Sequence, residues 1–505
     1  MNVLFVRPPR HYWPLLSPAG AFWQPLAFAC LAAAVRRDLP RASVGVLDAP
    51  ILKMGWRSIE NALAAARPDV VCIGDEVSAS GEGLRLARLA RSQNPRVCII
   101  AGGHFFGPMA PEIMADQPVD FIVRGEGERT LVAVLQRLLD AGSCDAARAG
   151  EAISGAVFRA ADGQIVDGGM PELIANLDTL PLPAWDLLPM PLYGARARSH
   201  RLIATLEHSR GCVGSCSFCN LWRQMGQPVG SGDNVRPLYR TKSPERSFEE
   251  VRLLYEKFGR RTFCWTDPTW NGSPEWTDRF CDLILDWGRP IEMVAWLRAD
   301  GVVRDAASRL LDKQVAAGLR RVMIGLERPS EAELATLGKC GCGPEVSSRA
   351  LELLGGYSQV YTIASLLFGL PDESPESAAA LVRYAGLADA TLLLPLTPNP
   401  GTPEWRAARQ AGDLDCTDYS QYNFLNPVLR TRRYSVAQVR RLYGRTLARY
   451  SLRRVGFWLR QFFRPTNRVR AGLDVRLGWR AARLAAKGLF SRGPILEARP
   501  NWYDD

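Results

Sequence analysis

The stretch HSRGCVGSCSFCNLW (residues 208–222) carries three cysteines in the spacing C-x3-C-x2-C, namely Cys212, Cys216 and Cys219. It follows a strand-like apolar run, LIATL (202–206), and its glycines and serines indicate a loop. Three thiolates on one short loop can bind a single metal centre, and iron–sulfur cubanes usually take four cysteine ligands. The stretch therefore predicts a 4Fe–4S cluster in which one iron lacks a cysteine and is open to a small molecule.

Zinc is the competing interpretation of the same loop. His208 precedes Cys212 by four residues, and Cys264 lies in the next strand-like run, so either side chain offers a fourth ligand. Structural zinc sites usually combine two hairpins that each supply ligands, whereas this sequence has one such group of cysteines. The spacing therefore favours the iron–sulfur interpretation.

From residue 201 onward, strand-like runs alternate with stretches of helical period. The strand-like runs are LIATL (202–206), TFCWTD (262–267), MVAWLR (293–298), LRRVMIGLE (319–327), TIASLLFGL (362–370) and ATLLLPL (390–396). The helical stretches lie near 244–257, 274–288, 303–317, 345–356 and 375–388. Six β/α units over residues 201–425 predict a partial (β/α)6 barrel with its chemistry at the C-terminal strand ends.

The first 145 residues show the same alternation with a shorter repeat. Strand-like runs at 3–6, 44–49, 70–75, 97–103 and 120–128 are separated by helical stretches near 23–37, 57–66, 80–93, 109–116 and 128–141. Continuous apolar strands between helices predict a parallel sheet covered on both faces. We therefore assign residues 1–145 to an α/β, doubly wound, flavodoxin-like domain that binds its ligand at the carboxyl ends of the strands. The proline-rich residues 146–200 are assigned to a linker.

The net charge of +11 is concentrated near the C-terminus. Residues 430–492 contain 18 Lys and Arg and one acidic residue, whereas the rest of the chain contains 45 basic and 51 acidic residues. The region 426–505 is predicted to be helical because it has no strand-like run. Its segment VGFWLRQFF (455–463) places aromatic side chains among arginines. That composition is typical of an interfacial helix on an anionic membrane, of a cover for an apolar or carboxylate-bearing substrate, or of a helix packed on the barrel.

The composition excludes several classes of protein. With 47% hydrophobic and 23% charged residues, the chain is neither disordered nor collagenous. No uncharged apolar run approaches the roughly 18 residues that span a bilayer, and residues 19–35 contain Gln24 and Pro25, unlike a signal peptide. Twelve irregularly spaced cysteines are typical of reduced thiols. We expect a cytoplasmic protein, at most peripheral on a membrane.

Cys212, Cys216, Phe218 and Cys219 together resemble the C-x3-C-x-aromatic-C signature of the radical S-adenosylmethionine (SAM) superfamily. The resemblance implies a 4Fe–4S cluster whose open iron chelates SAM. One electron passed to SAM then gives a 5′-deoxyadenosyl radical, which abstracts a hydrogen atom from an unactivated carbon. It also implies an electron donor such as flavodoxin or ferredoxin.

Other strand ends resemble the SAM-binding positions of the superfamily. The candidates are Phe218 in the loop, Asp267 with Asn271, Arg298 with Asp300, Glu327 in IGLE, and Gly369. A carboxylate after a strand is also a frequent helix cap, so their joint position at the catalytic end is the stronger indication. Cys340 and Cys342, in a glycine-rich connector, are open to two interpretations, a redox pair or a solvent-facing loop.

The N-terminal domain resembles the cobalamin-binding module that precedes many radical SAM barrels. The residues that carry this resemblance, and that are predicted to bind cobalamin, are Ser78, Gly102, Gly103, His104, Glu126 and Gly127. A glycine pair allows backbone to approach a flat macrocycle. The D-x-H-x-x-G loop that supplies an axial histidine in related modules is replaced by RPPRHYW (7–13), so we expect cobalt without a protein histidine ligand.

Among cobalamin-dependent members, the chain resembles the anaerobic magnesium-protoporphyrin IX monomethyl ester oxidative cyclase family. The shared segments include VRGEGE (123–128), TPNPGTP (397–403) and QYNFLNPVLR (421–430), whereas GGHFF (102–106) and DPTWNG (267–272) depart from the family pattern. The resemblance implies oxidative cyclisation of a porphyrin in bacteriochlorophyll biosynthesis. Cobalamin-dependent C-methylation is the alternative, and both imply a hydrophobic small-molecule substrate.

A non-catalytic cobalamin or redox sensor is the hypothesis of another class. The arginine-rich tail is compatible with nucleic acid. No helix-turn-helix or RNA-binding motif accompanies that tail, however. We therefore expect no nucleic-acid partner and treat peripheral membrane contact through the tail as the open question.

Overall fold

The structure, a computed structural model, describes residues 1–10, 23–195, 202–229, 234–414, 418–463 and 501–505, with single positions 483, 486, 487 and 499. Within these residues the chain forms two units, each built on a sheet with consecutive parallel strands. No helix in the described part of the chain is long and apolar enough to cross a membrane.

The first unit is a seven-stranded sheet in the order β2-β1-β3-β4-β5-β6-β7. Its strands are β1 Asn2–Arg7, β2 Ser43–Asp48, β3 Val70–Asp75, β4 Cys98–Gly102, β5 Phe121–Val123, β6 Ala156–Arg159 and β7 Ile165–Asp167. The first five are parallel and have the flavodoxin-like order, so the predicted fold class is confirmed. The last two pair antiparallel and extend this sheet with residues from the stretch that the sequence assigns to the linker.

Helices cover both faces of this sheet. They are α1 Leu26–Asp38, α2 Ala49–Leu52, α3 Trp56–Ala66, α4 Ser80–Gln93, α5 Gly103–Phe106, α6 Ala110–Asp116, α7 Gly127–Ala141 and α8 Cys144–Arg148. Buried side chains form a separate apolar core on each face, one against α1 and α7 and the other against α3 and α4. The strands are accordingly apolar on both sides, which is why they read as continuous hydrophobic runs.

The second unit is a six-stranded parallel sheet in the order β17-β16-β15-β14-β13-β8. The strands of this unit are β8 Ile203–Leu206, β9 Ser209–Gly211, β10 Gln227–Pro228, β11 Val235–Arg236, β12 Tyr239–Thr241, β13 Thr262–Trp265, β14 Glu292–Leu297, β15 Leu319–Glu327, β16 Tyr361–Phe368 and β17 Ala390–Pro395. Strands β9 to β12 form two small hairpin-like pairs beside the sheet. Sequential pairing of six β/α units confirms the predicted partial barrel.

The helices of the second unit surround this sheet. They are α9 Leu221–Gln224, α10 Pro244–Phe258, α11 Pro274–Trp287, α12 Ala299–Ala307, α13 Leu310–Ala316, α14 Glu331–Thr336, α15 Pro344–Gly355, α16 Pro375–Tyr384, α17 Pro403–Ala411 and α18 Val436–Phe463. The predicted single helix at 303–317 is two helices, because Arg309 adopts a positive φ of 61° between them. Left-handed backbone at a non-glycine residue ends a helix.

Four of these helices begin with the same three-residue signal, Ser or Thr, then Pro, then Glu. The hydroxyl of the first residue accepts a hydrogen bond from a backbone N–H three residues later, as in Ser243, Ser273, Ser374 and Thr402. Proline fits the first helical position because its missing N–H would be unpaired there, and glutamate complements the helix dipole. These signals fix where α10, α11, α16 and α17 start.

The helix predicted for the C-terminal region is present as α18, and its first half is part of the barrel. Val439, Tyr443, Leu447 and Tyr450 recur at helical spacing and are buried in the main barrel core. The Tyr443 hydroxyl donates to the carbonyl of Leu393 in β17 at 2.6 Å. The aromatic side chains of 457–463 and the basic residues that follow lie outside the described part.

The two units are joined by segments from both ends of the chain. The Gln24 carboxamide, just before α1, donates to the Ile203 carbonyl and accepts from the Thr205 N–H, which satisfies the open edge of β8. Tyr422 and Val428, from the segment after α17, are buried in the core of the first unit. These contacts hold the carboxyl ends of the two sheets against each other.

Candidate active site

The cluster loop, residues 212–219 with the three cysteines, begins at the end of β9. The residues just before it are held by Asp267, which follows the neighbouring strand β13. Asp267, after β13, accepts hydrogen bonds from the backbone N–H of His208 (2.9 Å) and of Ser209 (2.5 Å), and from the Ser209 hydroxyl (2.7 Å). The carboxylate is buried. Burial alone would raise the pKa of Asp267, but His208 and these donors outweigh it and hold the pKa below its usual value.

Each cysteine of the loop has its own electrostatic partner. The Cys212 sulfur accepts from the Gly214 N–H at 3.3 Å and lies 3.1 Å from the Thr269 hydroxyl. Burial raises the pKa of Cys216 to about 12, an effect that the Lys339 ammonium opposes. Burial also raises the pKa of Cys219 to about 11, although hydrogen bonds from the backbone N–H groups of Leu221 and Trp222 lower it in part. The unliganded thiols of Cys216 and Cys219 are therefore neutral at pH 7. The Lys339 ammonium and the backbone N–H groups of Leu221 and Trp222 favour their thiolate state.

The donor set fits an iron–sulfur cluster better than zinc. All three cysteines are free and half-buried. In the described part of the chain, one trio of candidate metal ligands lies within 4.8 Å of one another, and it consists of Cys98, Asp120 and Cys144. The sulfurs of Cys212, Cys216 and Cys219 are therefore more than 4.8 Å apart in at least one pair. Thiolates on a single tetrahedral zinc, at about 2.3 Å from the metal, would be closer together.

Neither proposed fourth zinc ligand points at the loop cysteines. The His208 ring is fully buried, stacks on Trp276 at 3.8 Å, and has Nδ1 2.9 Å from Asp267 Oδ1. Cys264 is buried in the barrel interior with Ile203 and Val294. Both side chains therefore pack inside the barrel.

Two half-buried cations lie beside the cluster loop. Arg298, after β14, pairs with Asp300 at 2.6 Å, and its guanidinium lies so near Gly214 that a β-carbon there would meet it at 2.7 Å. Lys339 pairs with Glu327 at 3.0 Å and donates to the Gly325 carbonyl. Glu327 has a positive φ of 60°, at a register shift in β15.

The predicted SAM-binding residues therefore divide into two groups. Arg298 and Glu327 lie beside the cluster loop, each already paired with an opposite charge. Gly369 also ends its strand, where its N–H donates to Glu373 at 2.7 Å. Asp267 is instead committed to the backbone of the cluster loop, and Phe218 packs on apolar residues at the strand ends. These roles as SAM contacts stay predictions.

The connector that carries Cys340 and Cys342 packs directly on the cluster loop. The Ser217 N–H donates to the Leu337 carbonyl at 3.0 Å, and a β-carbon on Gly338 would lie 3.4 Å from the Ser215 carbonyl. Cys340 is exposed, whereas Cys342 is buried. The connector also brings Lys339 to the site. No sequence motif points to this residue.

A cavity of about 420 Å³ lies between the carboxyl ends of the two sheets. One wall comes from the ends of β1, β3 and β4 and includes Gly102, Gly103 and His104. The opposite wall comes from the barrel mouth and includes Ser209, Arg210, Thr266 and Pro268. Ligands of doubly wound sheets bind at this topological switch point, and this one also borders the residues that lead into Cys212.

The predicted cobalamin residues are not all in that cavity. Gly102, Gly103, His104, Glu126 and Gly127 line it. A β-carbon on Gly102 would lie 3.3 Å from the Val123 carbonyl, so glycine keeps the end of β4 open. Ser78 is buried, with its hydroxyl 3.4 Å from Glu76.

Glu126 is foremost an ion-pair partner across the two units. It accepts from Arg240 at 2.5 Å, and the neighbouring Glu128 accepts from Arg210 at 2.6 Å. All four side chains are less than one-tenth exposed. This buried ion network, defined as Glu126, Glu128, Arg210 and Arg240, ties the VRGEGE segment to the start of the cluster loop. The sequence missed it because partners that are 82 and 114 residues apart leave no local pattern.

Comparison with known proteins assigns both units. The model of the B12 binding domain matches residues 12–135, and that of the radical SAM superfamily matches residues 206–385. An uncharacterized methyltransferase of Pyrococcus horikoshii is 27% identical over 457 residues, which are 90% of this chain and 93% of that protein. The anaerobic magnesium-protoporphyrin IX monomethyl ester cyclase of Rubrivivax gelatinosus is 24% identical over 434 residues, 85% of this chain and 74% of the cyclase.

Two solved structures share the fold over 96% of this chain, both at 16% identity. The cobalamin-dependent SAM radical enzyme OxsB, with aqua-cobalamin and SAM bound, matches with a TM-score of 0.69 over 72% of its chain. The radical SAM methyltransferase TsrM of Kitasatospora setae, with cobalamin and a [4Fe-4S] cluster bound, matches with a TM-score of 0.64 over 99% of its chain.

A B12-binding domain followed by a radical SAM domain defines the cofactors as a 4Fe–4S cluster, SAM and cobalamin, as predicted. The comparison also favours an enzyme over a non-catalytic sensor, because the similar proteins are enzymes. The chain thus combines a B12 binding domain with a radical SAM domain, the two domains of a cobalamin-dependent radical SAM enzyme.

Proposed function

We propose that the enzyme modifies an unactivated carbon of a hydrophobic substrate, and that the modification is methyl transfer. The observation that carries the proposal is the position of the large cavity, which borders both the cobalamin sheet and Ser209–Arg210 at the start of the cluster loop. When bound, SAM and cobalamin supply a radical and a methyl carrier. The residues of the chain bring the two cofactor sites together and exclude water between them.

Methyl transfer is favoured over cyclisation by two further observations. The alignment spans 93% of the methyltransferase relative but 74% of the cyclase. The segments that most resemble the cyclase also have a structural role. Gly401 lies against Pro108 of the first unit, and Tyr422 and Val428 are buried in its core. Any relative with this docking of two units needs such residues, whatever its substrate.

Oxidative cyclisation of a porphyrin is the second candidate, and it rests on the resemblance of VRGEGE, TPNPGTP and QYNFLNPVLR to that family. A second, much smaller pocket adjoins the first and includes Arg124 and Arg223 in its lining. Guanidinium groups suit the carboxylates of such a substrate. Further partners of the proposal are a flavodoxin or ferredoxin as electron donor, and a membrane surface for the basic tail.

The test is anaerobic reconstitution followed by turnover with magnesium-protoporphyrin IX monomethyl ester in ¹⁸O-labelled water. Methyl transfer releases S-adenosylhomocysteine in proportion to a product heavier by one methyl group. Cyclisation instead gives a product containing ¹⁸O without S-adenosylhomocysteine. Release of S-adenosylhomocysteine with no ¹⁸O product agrees with methyl transfer, and the reverse result overturns it.

A further inference from the structure

The segment DPTWNG (267–272), which departs from the cyclase pattern, lies directly against the cluster loop. Its Asp267 binds the backbone at the start of that loop. Its Asn271 side chain holds the backbone of Arg298, accepting from the N–H at 3.0 Å and donating to the carbonyl at 3.1 Å. The segment therefore supports both the cysteine loop and the arginine that crosses it.

Thr269 is the residue of this segment that reaches a cluster ligand. It is 1% exposed, and its hydroxyl oxygen lies 3.1 Å from the Cys212 sulfur. A thiolate that binds iron carries no proton, so in the loaded enzyme only the threonine can donate. Among the described residues, this is the side-chain hydroxyl that contacts a sulfur of the loop.

A buried polar chain fixes Thr269 from the other side. The Tyr239 hydroxyl lies 3.2 Å from the Thr269 carbonyl, to which it donates, and 3.2 Å from His208 Nε2. Gly272 allows this approach, because a β-carbon there would meet the Tyr239 ring at 2.5 Å. His208 is in turn held by Asp267 and by the ring of Trp276. The order of contacts is Asp267, His208, Tyr239, Thr269 and then Cys212.

We propose that Thr269 is a positioning residue that tunes the cluster by donating a hydrogen bond to the Cys212 thiolate. Hydrogen bonds to cluster sulfurs stabilise the more negative, reduced state and so raise the reduction potential. Tyr239 and His208 act through Thr269, because they fix the backbone that aims its hydroxyl. The inference concerns the cluster and is independent of the reaction that follows, so it survives a failure of the methyl-transfer proposal.

The experiment compares Thr269→Val with Thr269→Ser in the full chain, reconstituted anaerobically. The midpoint potential of the cluster is measured by redox titration followed by electron paramagnetic resonance. We expect Thr269→Val to lower the potential by up to 59 mV, which corresponds to a tenfold change in the equilibrium constant for a one-electron reduction. Thr269→Ser keeps the hydroxyl and should stay near the wild-type value, and Tyr239→Phe should fall between the two.

Thr391→Val is the matched control, because its hydroxyl binds the Ala385 carbonyl instead of a cysteine. Iron content and far-ultraviolet circular dichroism establish that each variant folds and carries its cluster. A Thr269→Val enzyme with a full cluster and an unchanged potential overturns the proposal. The same holds if Thr269→Ser and Thr269→Val lower the potential equally, since the hydroxyl would then be irrelevant.

Discussion

The cluster loop and the large cavity both lie at the carboxyl ends of parallel strands, but different parts of the chain form them. The loop uses the side chains of three cysteines within eight consecutive residues. The cavity uses backbone and small residues from the ends of several separate strands, including Gly74, Gly102 and Gly103. A metal centre needs specific donor atoms, whereas a large macrocycle needs space and backbone that can approach it. The first kind of site leaves a sequence motif, and the second leaves only glycines.

The largest effect is expected where the site depends on single side chains. Replacing Cys216 by alanine should lower the iron content from about four to below one per chain and abolish reductive cleavage of SAM. Cobalamin binding, measured by absorbance titration, should persist because the cavity is made by other residues. Cys340→Ala is the control, since this exposed thiol lies on the adjacent connector. Loss of iron in the control would mean that the centre draws on both loops.

The next effect concerns the contact between the two sites. Glu126→Gln leaves the guanidinium of Arg240 buried without its closest carboxylate, and breaking a buried pair in this way costs about 3–5 kcal/mol. Denaturant unfolding followed by tryptophan fluorescence measures the loss. The matched control is Asp186→Asn, which breaks the exposed pair with Arg36 and should cost no more than about 1 kcal/mol. Equal losses in the two variants would contradict a special role for the buried network.

A smaller effect is expected where the site depends on backbone. Gly102→Leu places a side chain at the end of β4, inside the large cavity, and should weaken cobalamin binding at least tenfold, about 1.4 kcal/mol. Gly102 has extended backbone, so leucine needs no left-handed conformation, although its β-carbon would lie 3.3 Å from the Val123 carbonyl. Gly81→Ala, at a helical position with open space around it, is the control. Unchanged cobalamin affinity with an intact cluster would place the cofactor elsewhere.

The same contrast explains what the sequence predicts and what it misses. The main parallel strands of both sheets are predicted because buried parallel strands are continuous apolar runs, and β15 is predicted at its observed bounds, 319–327. The short strands β7 and β9 to β12 are not predicted. The spacing of the three cysteines alone predicts that they bind the cluster. Asp267 is predicted to contact SAM, which stays a prediction, and it also binds the backbone at the start of the cluster loop. A carboxylate after a strand has the same local pattern in either role. Lys339 and the buried ion network depend on contacts between distant segments, which periodicity does not encode.

The two units also differ in the elements that cover the last strands of their sheets. The smallest predicted effect concerns the helix that covers the last strand of the barrel. The first sheet is extended by β6 and β7, whereas the sixth barrel strand, β17, is covered by α18 from the basic C-terminal region. Tyr443→Phe removes one buried hydrogen bond to the Leu393 carbonyl and should lower the free energy of unfolding by about 0.5–1.5 kcal/mol.

Tyr434→Phe, at a half-buried position just before the same helix, is its control and should change the stability by less than about 0.5 kcal/mol. A loss confined to Tyr443→Phe means that the first half of α18 is a structural element of the barrel. Truncation after Asn423 would then remove core residues together with the basic tail. A test of membrane binding therefore needs variants beyond Phe463, where α18 ends. If neither variant changes the stability, the hydrogen bond from Tyr443 to the Leu393 carbonyl does not contribute to holding α18 on the barrel.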